Sequence, residues 1–202
     1  MNTLVLSVLA AILCYIAIGI NDSSILVAAM LLSPMMKTLL DANGVFGLLK
    51  HAMVFISVWT VGFVGAFLES RVRHTPTPSQ RISELMNKIG VWPSSAVPEM
   101  MNKYGNWRQK WRMYLTMVAI AFIFVATGDV PPEAAVGLSI LASLLPPAVA
   151  SGFWAGMHAT SPPDGPPEYM RNSTSSFALY AVNAMAIMVA AVAQRKNLLR
   201  FK

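Results

Sequence analysis

Residues 24–36 read Ser24-Ile-Leu-Val-Ala-Ala-Met-Leu-Leu-Ser33-Pro34-Met-Met36, and residues 134–152 read Ala134-Ala-Val-Gly-Leu-Ser-Ile-Leu-Ala-Ser143-Leu-Leu-Pro146-Pro147-Ala-Val-Ala-Ser-Gly152. Both stretches are apolar and contain proline, one in each half of the chain. Proline removes a backbone donor and clashes with the preceding turn, so a helix through either stretch should break there. Lipid penalises the carbonyl that a break leaves unpaired, so broken segments lie inside protein or beside a water-filled cavity. Matched breaks in two halves predict where a membrane protein binds its ligand, without indicating which ligand.

The composition indicates a polytopic membrane protein. Hydrophobic residues make up 55% of the chain and charged residues 12%, whereas soluble domains carry about 25% charged residues. The long uncharged runs are Met1–Asn21, Ser23–Met36, Ala52–Leu68, Met113–Gly128, Ala134–Met157 and Asn172–Gln194. A spanning helix needs about 20 residues, so the first, third, fifth and sixth runs qualify. The fourth is marginal unless Arg112 snorkels to the headgroups, and the second is too short unless it continues through Lys37.

The predicted fold is all-α: an integral membrane helical bundle with about six membrane segments in two pseudo-repeated halves with Pro-broken helices. Residues 1–68 form the first half with three segments, and residues 113–194 form the second half with three more. A basic polar loop, residues 69–112, connects the halves, and a basic tail covers residues 195–202. Within the loop, residues 78–89 have the apolar spacing of a short amphipathic helix.

Two topologies remain open. If all six segments cross, the halves are inverted repeats, and the basic loop and the basic tail lie on opposite faces. If the two Pro-broken segments are re-entrant, four spans remain and both basic regions face the cytoplasm, as the positive-inside rule prefers. The length of the fifth run favours six crossings slightly, because it could cross as a kinked helix.

The positive charge is placed beside the predicted spans. The net charge is +6, and of the 15 lysines and arginines, eight lie between Arg71 and Arg112 and four in the tail. Basic residues next to spans mark the cytoplasmic side and meet anionic lipid. The lipid bilayer is therefore the expected partner, nucleic acid is not expected, and the protein is expected to be a multi-pass protein of the cell (plasma) membrane.

No catalytic or metal-binding pattern stands out in the sequence. Cys14 is the only cysteine, and His51, His74 and His158 show no metal-ligand spacing with it or with one another. Motifs for zinc proteases, serine hydrolases and P-loop proteins are absent. We therefore expect no enzyme activity, no metal and no cofactor.

Several elements resemble a known group of membrane proteins. They are Asn21-Asp22-Ser23-Ser24, the run from Ala29 to Met36 with its Ser-Pro, the run Ser143-Leu-Leu-Pro-Pro-Ala-Val-Ala-Ser-Gly152, and Asn183-Ala-Met-Ala-Ile187. In this order they resemble the uncharacterised hydrophobic-domain multipass membrane family (domain of unknown function family 389). The resemblance implies a membrane fold over nearly the whole chain and leaves the activity open. One departure is that Lys37-Thr38 stands where the family pattern has Gly-Pro.

A carboxylate precedes each broken segment at a similar distance, Asp22 before Pro34 and Glu133 before Pro146. Twelve or thirteen helical residues span about 18–20 Å, so each acid should lie near the surface opposite its break. Such acids could gather cations in a vestibule. Capping of the following helix is the favoured interpretation, because carboxylates stabilise helix N-termini.

The residues expected to line a solute or ion path lie at the breaks and in the last segment: Ser33, Pro34, Lys37, Ser143, Pro146, Pro147 and Asn183. Serine hydroxyls near proline can bind a ligand or repair freed carbonyls, and the two roles are evenly balanced. Asn183 should face the bundle, where it bonds another helix or a broken segment. Lys37 is either functional at depth or snorkels outward, and it could pair with Asp41.

The leading functional hypothesis is a transporter or channel for a small solute or ion, with a path along the two Pro-broken segments. The alternative is a membrane scaffold or assembly subunit that recruits partners or anionic lipid through its basic loop. A chain with few spans could also require a homo-oligomer to enclose a path.

Overall fold

The computed structural model describes residues 2–20, 22–42, 44–73, 144–161 and 168–195. All regular structure in these ranges is helical: α1 (Thr3–Ile20), α2 (Ser23–Leu32), α3 (Met35–Leu40), α4 (Gly44–Arg73), α5 (Leu145–Thr160) and α6 (Glu168–Arg195). The all-α prediction is confirmed for these residues. The predicted amphipathic helix 78–89, the fourth segment, Glu133, Ser143 and nearly all of the basic tail lie outside them.

The first proline break is present as the sequence predicts. Helix α2 ends at Leu32, Ser33 is extended with ψ 125°, and α3 begins after Pro34. The Ser33 hydroxyl accepts a 3.4 Å hydrogen bond from the Met35 N–H, which partly satisfies the first turn of the new helix. This bond differs from the predicted repair, in which the Ser33 hydroxyl would donate to a freed carbonyl, and the path role of Ser33 stays a prediction.

Helix α4 is the longest element in the described chain. It begins at Gly44, whose φ of +66° favours glycine, and runs for 30 residues, or about 45 Å at 1.5 Å per residue. It is longer than the uncharged run Ala52–Leu68, because its ends include Lys50 and His51 on one side and Glu69 on the other. Among the described residues, one helix is long and apolar enough to cross a membrane, and it is α4, over Gly44–Ser70.

The proline pair of the second half starts a helix. Pro146 and Pro147 occupy the first turn of α5, where the missing N–H groups would have no intrahelical acceptor. A bend at Leu144 precedes this turn. The pair is thus accommodated at a helix start, and the residues before Leu144 lie outside the described ranges.

Helices α4 and α5 form the closest contact. The backbones meet at glycine on both sides: a Cβ on Gly62 would strike the Val149 carbonyl, and one on Gly152 would strike the Trp59 carbonyl. Gly156 lies one turn further along α5, against Phe63. Gly152 and Gly156 form the GxxxG spacing that lets membrane helices approach closely. The spacing of Gly152 and Gly156 can be read directly from the sequence.

The remaining helices pack around this pair. Helix α1 contacts α2, α4 and α5, whereas α6 contacts α5 and α3. Helix α3 also packs on α4. Helix α3, which follows the Pro34 break, therefore lies against α4 and α6. Helix α5, whose first turn contains Pro146 and Pro147, lies against the same two helices.

Large apolar side chains are exposed on the outside of this assembly. On α1 they recur at helical spacing, at Val5, Leu9, Ile12 and Ile16. On α4 they extend along the helix, at Val45, Phe46, Leu49, Met53, Ile56, Val64, Phe67 and Leu68. On α6 they are Met170, Phe177, Met185, Val189 and Val192. Contiguous exposed apolar surface of this extent is unusual for a soluble monomer and typical of contact with lipid or a partner.

Candidate functional site

A chain of hydrogen bonds crosses three helices next to the Pro34 break. The Thr38 hydroxyl oxygen on α3 lies 3.0 Å from Nδ1 of His51 on α4. The other ring nitrogen, Nε2, lies 2.7 Å from the hydroxyl oxygen of Tyr180 on α6. All three residues are buried, and His51 is 7% exposed. The imidazole therefore joins α3, α4 and α6 at one point.

We assign the protons of this chain from its first bond. The Thr38 hydroxyl donates to the Met35 carbonyl at 3.0 Å. A hydroxyl has one proton to donate, so towards His51 the Thr38 oxygen acts as acceptor, and Nδ1 carries the proton. Nε2 of the neutral ring is then the acceptor, and the Tyr180 O–H donates to it. Every bond in the chain points the same way, from Tyr180 to the Met35 carbonyl.

Aromatic rings cover the chain on one side. Phe55, one turn after His51 on α4, stacks on Tyr180 with ring centroids 4.3 Å apart. Phe177, almost one turn before Tyr180 on α6, meets Phe55 edge-on at 5.7 Å. These rings fix the Tyr180 ring and place apolar material beside the chain, where a low dielectric strengthens hydrogen bonds.

Helix α6 presents a polar face to the interior. Its buried residues include Asn172, Ser173, Ser176, Tyr180 and Asn183, which recur at helical spacing. At 1.5 Å per residue this face extends for about 16 Å. We call these five residues the polar face of α6. The hydroxyls of Ser173 and Ser176 donate to backbone carbonyls, that of Ser173 to Ser151 on α5 at 2.9 Å.

One acceptor on this face is unsatisfied. Asn172 is 7% exposed, and its Oδ1 has no hydrogen-bond partner among the described residues. A buried amide oxygen without a donor is costly, so such a group calls for a partner of its own. A donor or a cation reaching this end of the polar face would satisfy it.

The predicted path residues of the first half lie close to the hydrogen-bond chain but differ in exposure. Ser33 and Pro34 are half-buried, and Lys37 is exposed on α3. Thr38, the next residue, is buried and makes the interhelical contact. The outward direction of Lys37 matches the snorkelling alternative, and its role in a path stays a prediction.

The predicted path residues of the second half are divided between two helices. Pro147 is buried and Pro146 half-buried at the start of α5, and Asn183 is 3% exposed on the polar face of α6. Ser143 and Glu133 lie outside the described ranges. Asn183 faces the bundle as the sequence indicated.

Asp22 caps α2. Its carboxylate Oδ1 accepts hydrogen bonds from the N–H groups of Ser24 at 2.8 Å and Ile25 at 3.1 Å, and from the Ser24 hydroxyl. The hydroxyl bond, followed by the Ile25 amide bond, lowers the pKa of Asp22 below the ordinary value for aspartate. The capping interpretation of Asp22 accounts for this geometry.

Sequence reasoning missed His51, Tyr180 and Thr38 as a group. A histidine inside an apolar helix was itself a signal, because ionisable residues within membrane segments are costly and usually functional. Its partners could not be read from the sequence, since Tyr180 is 129 positions away. The described residues contain no group of three or more histidine, cysteine or acidic side chains that could hold a metal ion.

No protein-family model, curated protein or solved structure matches the chain. The resemblance to the uncharacterised hydrophobic-domain family therefore stays a prediction, and the residues themselves must carry the functional argument.

Proposed function

We propose that this chain is a multi-pass membrane protein that moves a small solute or ion along the polar face of α6. The carrying observation is that α6 buries a row of asparagine, serine and tyrosine side chains, together with Ala184, Ala186 and Ile187, and exposes methionine, phenylalanine and valine. In soluble proteins, large apolar side chains are more often inside than asparagine and serine. A helix that faces lipid outside and a polar path inside has a reason to reverse this order.

Membrane insertion is supported by α4 as well. Gly44–Ser70 has the length and composition of a span. A core helix of a soluble protein passes the same test, but such a helix is buried on most of its surface. In contrast, α4 exposes apolar residues along its length, with Phe46 at 89% and Ile56 at 58%.

The place of the path is supported by the packing of the proline elements. Helices α3 and α5, which follow the two proline sites, both contact α4 and α6. A polar path between them would run past the Thr38–His51–Tyr180 chain to the unsatisfied Asn172 oxygen. Ser33, Pro34, Pro146, Pro147 and Asn183 would border it.

The finer architecture belongs to the same proposal. About six segments in two pseudo-repeated halves would enclose the path, with the basic loop and tail beside the headgroups of the plasma membrane. Closure of the path between two copies of the chain would make the homo-oligomer the working unit.

The test is labelling with a membrane-impermeant thiol reagent on a Cys14→Ala background. Ser176→Cys places a thiol on the polar face of α6, and Met185→Cys places one on the exposed apolar side of the same helix. Asp41→Cys, in the exposed turn after α3, reports that reagent reaches the protein. We expect labelling of Ser176→Cys and Asp41→Cys, and none of Met185→Cys, which would face lipid.

Two other patterns would contradict the proposal. Labelling of Asp41→Cys without labelling of Ser176→Cys would show a packed interior, which favours the scaffold alternative. Labelling of Met185→Cys as fast as Asp41→Cys would place the apolar surface in water and remove the membrane argument.

A further inference from the structure

We propose that His51 is a proton-binding site, and that a proton bound there breaks the hydrogen-bond chain that joins α6 to α3. Binding of this proton would be coupled to movement of the solute or ion. Only this coupling rests on the proposed function, because the proton site itself depends on the geometry around His51.

The geometry leaves one place for the proton. Nδ1 is already protonated, because it donates to Thr38. Nε2 has the lone pair, and it points at the Tyr180 hydroxyl 2.7 Å away. An incoming proton therefore binds Nε2, and the interaction with Tyr180 is the one that must change.

The step balances without a redox partner. A hydronium ion transfers one proton to Nε2, which forms an N–H bond and leaves a water molecule. The imidazole becomes an imidazolium with one positive charge. Tyr180 keeps its own proton, and its hydroxyl changes from donor to acceptor for the new N–H.

After the proton binds, the Tyr180 hydroxyl lacks an acceptor and the charged His51 ring lacks a counter-charge or water in the packed interior. The Tyr180 hydroxyl proton must find another acceptor, because its former acceptor now carries a proton. The buried positive charge requires water or an anion, since a cation in a low-dielectric interior is costly. Both requirements are met when the contact between α4 and α6 opens towards water. Proton binding should therefore open the region beside the Pro34 break and the polar face of α6.

The two hydrogen-bond partners of the His51 ring are uncharged, and the acid on α3, Asp41, lies exposed at the end of that helix. From α3 the facing residue is Thr38, and the neighbouring Lys37 is exposed. From α6 it is Tyr180. The adjacent Lys50 on α4 is also exposed. On the other helices packed against α4, Tyr15 of α1 meets Phe153, Cys14 is buried within α1, and His158 is exposed on α5.

The first experiment observes the ring directly, by nitrogen NMR of histidine-labelled protein in lipid nanodiscs. His51→Asn assigns the His51 signals, and His158→Asn serves as the matched control at an exposed histidine. We expect the Nδ1-protonated neutral ring at alkaline pH and conversion to imidazolium as the pH falls from 8 towards 5, the range in which histidine changes charge. A ring protonated on Nε2 at alkaline pH, or no conversion over this range, would overturn the proposal.

A second variant tests the hydrogen-bond chain. Thr38→Val keeps the shape of the side chain and removes the acceptor that holds the proton on Nδ1. We expect this variant to lose the preference for the Nδ1-protonated ring, while Thr60→Val, at an exposed position on α4, leaves it unchanged. An unchanged ring in Thr38→Val would contradict the assigned direction of the chain.

The gating consequence is measured separately, as the labelling rate of Ser176→Cys divided by that of Asp41→Cys at the same pH. A minor open state is commonly populated at 0.1–10%, so we expect the ratio to rise about tenfold or more between pH 8 and pH 5. His51→Asn should abolish the rise, and His158→Asn should keep it. If Ser176→Cys never labels although His51 titrates, the proton site stands and the transport proposal fails. A rise that persists in His51→Asn would overturn the link between the proton and the opening.

Discussion

Asp22 shows how one side chain makes the start of a helix depend on pH. The Ser24 hydroxyl and the Ile25 amide lower the pKa of Asp22, so folding favours the ionised form. The cap therefore stabilises the protein fully above the ordinary aspartate pKa of about 3.9 and loses this contribution as the pH falls through the lowered folded value. We expect wild-type protein to lose thermal stability in this acidic range more steeply than Asp22→Ser, which keeps a neutral cap.

The measurement is the melting temperature in detergent of both proteins from neutral to acidic pH. Asp41→Asn is the control, since it removes an exposed aspartate at the end of α3. This control should keep the wild-type slope. Equal slopes for wild type and Asp22→Ser would show that the Asp22 carboxylate does not set this pH dependence.

The residues whose roles could be predicted act through local contacts. Asp22 bonds amides two and three positions ahead, and Pro34 removes its own donor, so both effects follow from neighbouring letters of the sequence. The Thr38–His51–Tyr180 chain instead joins positions 13 and 129 apart. Such a contact depends on how whole helices pack, and an apolar pattern does not determine which helices become neighbours.

At the level of elements, α4 and α5 are locked by glycine on both partners. A methyl group on Gly152 would strike the carbonyl of Trp59, and backbone atoms cannot rotate away as a side chain would. We expect Gly152→Ala to destabilise the protein by about 1–3 kcal/mol, the usual cost of overpacking, because the helices must separate. Unfolding in mixed detergent micelles gives the free energy of unfolding.

A larger change at an exposed position of the same helix provides the control for Gly152→Ala. Ala159 is exposed near the end of α5, and Ala159→Met should change the free energy of unfolding by no more than about 0.5 kcal/mol. If Gly152→Ala matched this control, the close approach of the two helices would not be a feature of the protein in solution.

The prolines also show that one residue type has different effects at different positions relative to a helix. Pro34 separates two helices, whereas Pro146 and Pro147 begin one. The same ring thus ends hydrogen bonding at one site and fits an unpaired first turn at the other. The sequence located both elements, but their different roles depend on where each helix begins.

At the scale of the whole molecule, the exposed apolar side chains of α4 distinguish a lipid environment from water. Ile56 lies near the middle of α4 and is 58% exposed. If this surface faces lipid, arginine there must enter the bilayer centre at a cost of about 2.5–3.5 kcal/mol on the insertion scale. If it faces water, a surface substitution should cost no more than about 0.5 kcal/mol. We expect Ile56→Arg to lower the inserted fraction of the protein strongly.

The inserted fraction is measured in microsomes with glycosylation acceptor sites placed on either side of α4. Phe46→Arg is the matched control, because Phe46 is 89% exposed on the same helix but lies in its first turn. An arginine there can extend its charge to the headgroups, so insertion should remain near the wild-type level. Two variants that insert equally well would place the outer face of α4 in water or against protein. Loss of insertion in Ile56→Arg alone would establish that lipid covers the outer face of α4. The polar face of α6 would then point into the protein, away from the lipid.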